Sequence, residues 1–294
     1  MPRRHKKIID VASAIIILAL ITLDAALWKN ILADDATRVS AARIYFLPVT
    51  QGESALLVLP NGATVLTDAG VDAGIVDDLQ KILPSADASY IDLAIISYPQ
   101  AADYEGYQYL LQHDRIGAFL YNGRSDDAHG TEWQQLVTTI AQKHIPLITI
   151  GAGDRIRYGS ANGDGNLVTE VDILSPSSAF ARSPDPVDTG IVERVITPKF
   201  TALLAADIGV NVEDVLLARK ANLKASILKA PFPGLGTAAG DAFLNSVNPQ
   251  TIVVMPGVKN TPSVPTKAML VHLASSTTAT LATPGHGTFL LYNK

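Results

Sequence analysis

One stretch of the chain combines a buried-looking strand, a tight loop and the start of a helix. The stretch covers residues 93–106, with the strand predicted over 93–97, the loop after it and the helix beginning near Tyr104. A loop that leaves the carboxyl end of a central strand is where α/β folds place their chemistry. A metal site at such a loop would need histidines and aspartates as ligands, whereas here the loop carries Tyr98, Gln100 and Asp103. The stretch therefore predicts an α/β fold whose loop has the position of a metal site but few of its ligands.

Composition sets limits on the class of protein. The chain has 294 residues, of which 48% are hydrophobic and 17% are charged, so we expect a large core and an ordered chain. The 23 basic and 28 acidic residues give a net charge of -5, which argues against a strongly basic nucleic-acid-binding surface. The absence of cysteine excludes disulfides, zinc-thiolate sites and thiol nucleophiles.

The N-terminus predicts a membrane anchor. Residues 1–7 are basic, and residues 8–28 are mostly apolar, with Asp10 and Asp24 near the ends of that window. About 20 residues are enough to span the hydrocarbon core of a bilayer. The basic flank predicts a cytoplasmic N-terminus and an extracytoplasmic C-terminal domain, in a single-pass protein of the cell membrane. A cleaved signal peptide and an ordinary buried helix are the alternatives. The predicted division is a cytoplasmic tail over 1–7, a transmembrane signal-anchor over 8–28, a linker over 29–41 and one folded domain over 42–294.

The folded part reads as two halves of similar layout. Pro60-Asn61-Gly62 separates two apolar runs and predicts a hairpin, after which strands and helices alternate. Short strands follow residue 146, then a polar surface loop over 177–188, then a second strand–helix alternation. This layout suits an α/β (α+β) fold, with two mixed sheets face to face and helices outside, in four αββα layers. Helices are predicted at 75–83, 104–113, 131–144 (capped by Thr131), 212–218, 239–247 and 266–274.

Motifs at the junctions of these elements resemble those of a known family. They read FLPVTQGES over 46–54, TDAG over 67–70, SYPQAADYEG over 97–106, AADI over 205–208 and KAPFPG over 229–234. In order and rough spacing they resemble the metallo-β-lactamase superfamily, and within it the metallohydrolase domain of ComEC-type DNA-uptake proteins. The resemblance covers about residues 42–294 and implies a four-layer αββα sandwich behind the N-terminal transmembrane helix.

The resemblance also implies that most of the family's metal ligands are missing. The loop histidine of the family pattern is Tyr98 here, and its second histidine is Asp103. The late histidine pair is Phe232 and Pro233, which cannot bind a metal, while Asp207 falls on the family's metal aspartate. A two-metal hydrolytic site needs imidazoles and carboxylates around each ion. The six histidines of the chain match none of the ligand positions.

The remaining carboxylates allow two interpretations. Asp68, Asp103 and Asp207 could converge, together with Glu53 or Glu105, into an all-oxygen site for Mg²⁺, Mn²⁺ or Ca²⁺. In that case Asp103 and Asp207 are the catalytic candidates. Alternatively, Asp68 bonds backbone amides of its own turn, Asp103 caps the following helix and Asp207 is a remnant.

A binding cleft is predicted where the metals would lie. Aromatic side chains there could stack bases or simply fill a core. The cleft residues are predicted to be Tyr98, Gln100, Asp103, Tyr104 and Phe232.

These observations favour a non-catalytic pseudo-hydrolase that needs no cofactor and binds DNA or an envelope protein. Two alternatives stay open. One is a metal-dependent hydrolase, of the phosphodiesterase or nuclease kind, with a rebuilt carboxylate site. The other is a structural assembly partner of an envelope complex.

Overall fold

A computed structural model describes most of the folded domain. It covers residues 41–60, 62–83, 90–112, 115–126, 130–159, 169–231, 239–255, 267–275, 279–282 and 289–291. The predicted anchor at 8–28 lies outside these ranges. Within them, no helix has both the length and the apolar character needed to cross a bilayer.

The described residues form fourteen strands in two sheets of seven. In chain order they are β1 Arg43–Phe46, β2 Ala55–Val58, β3 Thr64–Thr67, β4 Ile91–Ile96, β5 Ile116–Tyr121, β6 Leu147–Thr149, β7 Arg155–Tyr158, β8 Thr169–Ser175, β9 Val192–Ile196, β10 Thr201–Leu204, β11 Ile227–Lys229, β12 Thr251–Val254, β13 Ala279–Ala282 and β14 Phe289–Leu291. The first sheet has the order β14-β1-β2-β3-β4-β5-β6, and the second has the order β13-β12-β11-β10-β9-β8-β7.

Each sheet is mixed in the same way. In the first sheet, β14, β1, β2 and β3 pair antiparallel, and β3 to β6 pair parallel. In the second, β7 to β10 pair antiparallel, and β10 to β13 pair parallel. The parallel strands of both sheets therefore present their carboxyl ends to loops, which is where the site described below is built.

The helices follow the strands that they cover. They are α1 Gly74–Ile82, α2 Ala101–Tyr104, α3 Gly106–Leu111, α4 Gly130–Gln142, α5 Val210–Ala218, α6 Asp241–Val247 and α7 Lys267–Ser275, with 3₁₀ turns at Phe180–Arg182 and Pro186–Thr189.

Two apolar cores hold the layers together. The first lies between the sheets, where Phe46 and Val65 of one sheet join the cluster that contains Val195 and Ala202 of the other. The second joins the outer face of β10–β12 to α5, α6 and α7 through a larger set of side chains, among them Leu203, Leu216, Leu228, Phe243, Ile252 and Leu273. Helix α3 packs against the first sheet, where the Tyr107 ring contacts the Phe119 ring of β5 edge-on, with 5.1 Å between the ring centroids. The four-layer αββα sandwich predicted from the sequence is thereby confirmed.

Local predictions differ from the structure at three places. The helix predicted from Tyr104 begins at Ala101 and is split into α2 and α3, with Gly106 opening α3. Gly106 packs so closely that an added Cβ would lie 2.1 Å from the Ala69 carbonyl oxygen. Helix α4 begins at Gly130, so Thr131 lies inside it rather than at its cap. The predicted surface loop over 177–188 is partly buried.

The burial of that loop has a physical cause. Ser183 and Asp188 are 8% and 7% exposed. The Ser183 hydroxyl donates to Asp188 Oδ2 at 2.7 Å, so both polar groups keep a partner away from water. A count of polar residues cannot anticipate such an internal pair.

Candidate functional site

The site lies where parallel strands of both sheets end. Asp68 follows β3, Ser97 follows β4 and Asp207 lies three residues after the end of β10. Lys229 is the last residue of β11, and Glu53 precedes β2. The carboxyl ends of β3, β4, β10 and β11 thus bring four of these polar side chains to one end of the sandwich, and the amino end of the antiparallel strand β2 brings the fifth, Glu53.

Asp68 is held by the neighbouring strand. Its Oδ1 accepts from the Ser97 amide at 2.8 Å, and its Oδ2 accepts from the Ser97 hydroxyl at 2.5 Å. The prediction that Asp68 bonds amides of its own turn is therefore wrong, because its partner is 29 residues away on the strand beside it. Burial raises the pKa of Asp68 to about 7, although the two Ser97 bonds and the charge of Lys229 oppose the shift.

Lys229 supplies a positive charge to this cluster. It is 3% exposed, and its Nζ donates to Glu53 Oε2 and, at 2.7 Å, to the Ala206 carbonyl oxygen. Its Nζ also lies 3.9 Å from Asp207 Oδ1. Burial alone would lower the pKa of Lys229, but the charges of Glu53 and Asp207 outweigh it and the net shift is upward. Lys229 is therefore a buried ammonium ion in contact with carboxylates.

Acidic groups outnumber this one cation. Burial raises the pKa of Glu53 and of Asp103 well above the usual carboxyl range. Asp68 and Asp207 raise the pKa of Asp103 further, so these groups lie close enough to interact. One ammonium can balance one carboxylate, and burying the rest as anions would be costly. The cluster therefore binds protons at pH values where exposed carboxylates are ionised.

A small cavity lies beside the cluster. It measures about 10 Å³ and is lined by Glu53, Asp68, Ser97, Glu193 and Lys229, among others. Within the described ranges, the buried Oε1 of Glu53 has no hydrogen-bond partner. The cavity has about the space that one water molecule needs, and its polar lining suits one. It has no room for a phosphodiester.

Polar contacts join the two sheets around this cavity. The Thr67 hydroxyl, in β3, lies 3.2 Å from both carboxylate oxygens of Glu193 in β9. The Ile191 amide donates to the Ser97 carbonyl at 2.7 Å. Burial raises the pKa of Glu193 to about 8, and the nearby Asp68 adds to the shift. The inner surface of the sandwich is thus closed by hydrogen bonds at the end where the site lies.

The other predicted site residues take different places. Asp103 lies inside α2, is 3% exposed and makes no capping bond, and Gln100 occupies the cap position instead. The prediction that Asp103 caps the helix is wrong, because the helix begins earlier and turns this side chain inward. Tyr98 is 8% exposed, and burial followed by the charges of Asp207 and Asp103 raises its pKa, which places it beside the cluster.

Tyr104 belongs to the helix packing and not to a cleft. It is fully buried, its hydroxyl donates to Asp126 Oδ2 at 2.9 Å, and its ring meets Trp133 edge-on at 5.2 Å. Glu105 follows it at the junction between α2 and α3. Phe232, the fifth predicted cleft residue, lies outside the described residues.

The donor set does not fit a two-metal zinc site. Across the described ranges, no group of three or more His, Asp or Glu residues is arranged to hold a metal ion. The cluster contributes carboxylates but no imidazole, and the Lys229 ammonium contacts the Glu53 carboxylate that a cation would need. His272 bonds the Ala239 carbonyl at 3.1 Å, and His144 follows the end of α4. His5, His113, His129 and His286 lie outside the described residues.

Sequence reasoning missed the residues that organise the site. Ser97 and Lys229 open two of the motifs quoted above, SYPQAADYEG and KAPFPG, but neither of them is among the predicted site residues. Glu193 lies in no motif. A useful signal would have been the position of Lys229 itself, because a lysine at the carboxyl end of a buried parallel strand points into the crevice where such folds place ligands.

Comparisons with known proteins support the fold. No family model matches the chain, and a search of curated proteins finds no match. CmlA, a diiron β-hydroxylase from Streptomyces venezuelae, is similar in structure with a TM-score of 0.56 at 11% identity, covering 86% of this chain and 54% of that chain. Igni18, a novel metallo hydrolase from the hyperthermophilic archaeon Ignicoccus hospitalis, has a TM-score of 0.50 at 13% identity, covering 85% of this chain and 100% of that one.

A third similar structure is Zn²⁺-bound PqqB from Methylobacterium extorquens, with a TM-score of 0.51 at 11% identity, covering 81% of this chain and 86% of that one. The chain matches only about half the length of CmlA. At these identities the similarity shows the fold alone. It therefore supports the two-sheet α/β sandwich of this chain.

Proposed function

We propose that this chain is a membrane-anchored, extracytoplasmic pseudo-hydrolase, a ComEC-like relative with the metallo-β-lactamase fold and a binding role in the cell envelope. Its anchor is the predicted segment at 8–28. Its site carries no hydrolytic metal centre, and its partner is a protein of the envelope.

The observation that carries this proposal is the buried contact between Lys229 and Glu53. The ammonium donates to Glu53 Oε2 and to the Ala206 carbonyl, and it lies 3.9 Å from Asp207 Oδ1. A divalent cation at this point would meet a fixed positive charge a few ångströms away, and the two would repel each other strongly in a medium of low dielectric constant. Lys229 therefore supplies the positive charge next to Glu53 at this end of the sandwich, where a metal ion would otherwise have to supply it.

Substrate access gives a second argument. Hydrolysis needs space for the reacting group and for an attacking water next to the catalytic residues. The cavity beside the cluster has a volume of about 10 Å³, and Asp68, which lines it, is 2% exposed. Asp103, another member of the cluster, is 3% exposed. This packing favours a structural role for the cluster.

Charge favours a protein partner over DNA. Six of the 23 basic residues and four of the 28 acidic residues precede residue 42. The domain is left with 17 basic and 24 acidic residues, a net charge of -7. Sequence-independent DNA binding depends on contacts between basic residues and phosphates, so such a domain is poorly suited to it. DNA remains a control ligand, and binding that falls steeply with salt would contradict this part of the proposal.

The alternative is a metal-dependent hydrolase with a carboxylate site. The observation in its favour is that burial first, and then the charges of Asp68, Asp207 and Glu53, raise the pKa of Asp103. Oxygen-rich sites of this kind suit Mg²⁺, Mn²⁺ or Ca²⁺.

A phosphodiesterase assay separates the two functions. The purified full-length chain is tested on a chromogenic phosphodiester and on single-stranded DNA, with Mg²⁺, Mn²⁺ or Ca²⁺ added in turn. We expect no metal-dependent turnover above that of the Asp207→Ala variant. Turnover that needs the metal and disappears in Asp207→Ala would contradict the pseudo-hydrolase and support the alternative. A third role, as a structural assembly partner with no small ligand, is tested by cross-linking in intact membranes.

A further inference from the structure

A second recess lies at the other end of the strands that carry the cluster. It is a groove of about 630 Å³ near the amino-terminal ends of β10, β11 and β12, whereas Lys229 lies at the carboxyl end of β11. Its polar lining consists mainly of Arg194, Asn222, Lys224, Ser226, Asn248 and Gln250. The residues that line it include two cations and no acid, on a domain whose net charge is -7.

Arg194 is the fixed part of this groove. Its Nε donates to the Lys224 carbonyl at 3.1 Å, which holds the guanidinium in place, and its side chain is 12% exposed. The carboxylate near this guanidinium is that of Asp172, whose Oδ2 lies 3.9 Å from Arg194 Nη1, beyond hydrogen-bond distance. Asp172 in turn accepts from Arg155 Nε at 2.5 Å. Burial lowers the pKa of Arg194, and Asp172 offsets only part of that shift, so the charge of Arg194 is incompletely compensated within the protein.

The groove suits an anion although a helix ends beside it. Helix α6 ends at this groove, and the carbonyl end of a helix repels anions. However, the Val247 carbonyl at that end already accepts from the Ala225 amide at 3.1 Å. The Lys224 side chain is exposed, and within the described ranges it has no recorded ion pair. The amide side chains of Asn222, Asn248 and Gln250 add hydrogen-bonding groups around the two cations.

We propose that this groove binds an anionic polyol, meaning a phosphate or carboxylate group on a polar, hydroxyl-bearing body. Arg194 and Lys224 bind the anionic group, and the amide side chains bind the hydroxyls. Guanidinium groups match the geometry of phosphate and carboxylate oxygens, and the volume falls within the range of small-molecule sites. The ligand is free in solution or is one unit of a polymer. This site is separate from the cluster at Lys229, so it does not depend on whether the chain is catalytic.

Calorimetry on the full-length chain tests the proposal. The probes are glycerol 3-phosphate and glucuronate, with glycerol as the uncharged control. We expect saturable binding of at least one anionic probe and none of glycerol. Arg194→Gln and Lys224→Gln should each weaken that binding about tenfold, as the loss of one charge-assisted hydrogen bond does. Lys220→Gln, an exposed lysine outside the groove, is the matched control and should leave the affinity unchanged.

Two results would overturn the proposal. One is the absence of saturable binding for both anionic probes. The other is binding that Lys220→Gln weakens as much as Lys224→Gln, which would indicate a diffuse charge effect. Because Lys224 is exposed, its variant is expected to fold normally, and thermal unfolding checks this. Adding a poly(glycerol phosphate) oligomer distinguishes the two sources, because a groove that binds one unit of a polymer should bind the oligomer more tightly than glycerol 3-phosphate, through the units on either side, whereas a site for a free ligand should not.

Discussion

Lys229 is a charged residue in a place where charge is normally excluded. A buried ion pair gains little over a well-packed apolar pair, but removing one partner leaves an uncompensated charge behind. The partner of Lys229 in this ion pair is Glu53, and Asp207 Oδ1 lies 3.9 Å from Lys229 Nζ. Replacing Lys229 alone should therefore destabilise the domain more than replacing Lys229 and Glu53 together.

Lys229→Met should destabilise the domain by about 3–5 kcal/mol, because it removes the cation and leaves its acidic neighbours without compensation. Urea unfolding at neutral pH measures the change. A second variant, Glu53→Gln combined with Lys229→Met, removes one of those acids and should recover part of the loss. A loss below about 1 kcal/mol for the single variant would show that Lys229 is not the counter-ion of the cluster.

Glu193 contributes to the pH dependence of stability in the same direction as the other buried acids, Asp68, Glu53 and Asp103, whose pKa values are also raised. Its pKa is about 8 in the folded chain, against about 4.3 when unfolded. A raised folded pKa means that the folded state holds its proton at higher pH than the unfolded state. The resulting stability is complete below the unfolded pKa, and it is lost as the pH rises from about 4 to about 8.

We therefore expect the melting temperature to fall as the pH rises from about 5 to about 8. Glu193→Gln keeps a hydrogen-bonding group opposite Thr67 but cannot ionise, so it should flatten this slope. Differential scanning calorimetry at several pH values measures both chains. A slope that is unchanged in Glu193→Gln would assign the pH dependence to other groups.

At the scale of elements, a segment of the second half of the chain is tied to the first sheet. This segment contains the two 3₁₀ turns from Phe180 to Thr189. The Asn122 side chain, which follows β5, donates to the Thr189 carbonyl at 2.8 Å, and Arg124 Nη1 donates to the Ser183 carbonyl. Asn122 is buried, at 4% exposed. The segment therefore depends on a few polar contacts that join the two halves of the chain.

Asn122→Ala should loosen this segment, since it leaves the buried Thr189 carbonyl without its side-chain donor. The expected cost is about 1–3 kcal/mol, with faster amide exchange confined to residues 180–190. Hydrogen–deuterium exchange measured by mass spectrometry gives this local readout. Asn245→Ala, at an exposed position of α6, is the matched control and should change neither quantity. Exchange that rises equally across both sheets would contradict a local role.

The elements themselves were largely predictable because their signals are local. The Asn-Gly turn predicts the hairpin of β2 and β3, which pair antiparallel as expected. The periodicity over 75–83 predicts α1 to within one residue at each end. Asp103 was misjudged because capping depends on where the helix begins, and helix boundaries are poorly defined in a sequence. The burial of Asp188 depends on Ser183, a tertiary pairing that polarity alone cannot reveal.

At the scale of the whole molecule, the sandwich follows from the order of strands and helices, but the character of its site does not. The sequence shows that histidines are missing, and it leaves open what replaces them. That answer needs the two sheets to be packed together, because Glu53 and Lys229 are 176 residues apart and belong to different halves. The folded domain has the acidic cluster around Lys229 at the carboxyl ends of β10 and β11 and the cationic groove at their amino ends.

The most direct test of the pseudo-hydrolase is the metal content of the purified full-length chain. The measurement is inductively coupled plasma mass spectrometry after dialysis against buffer that contains micromolar Zn²⁺ and Mn²⁺. With the Lys229 ammonium in contact with Glu53, where a metal ion would have to bind, we predict far less than one transition-metal ion per chain. About two bound Zn²⁺ or Mn²⁺ ions per chain, the content of a two-metal hydrolase, would contradict the account.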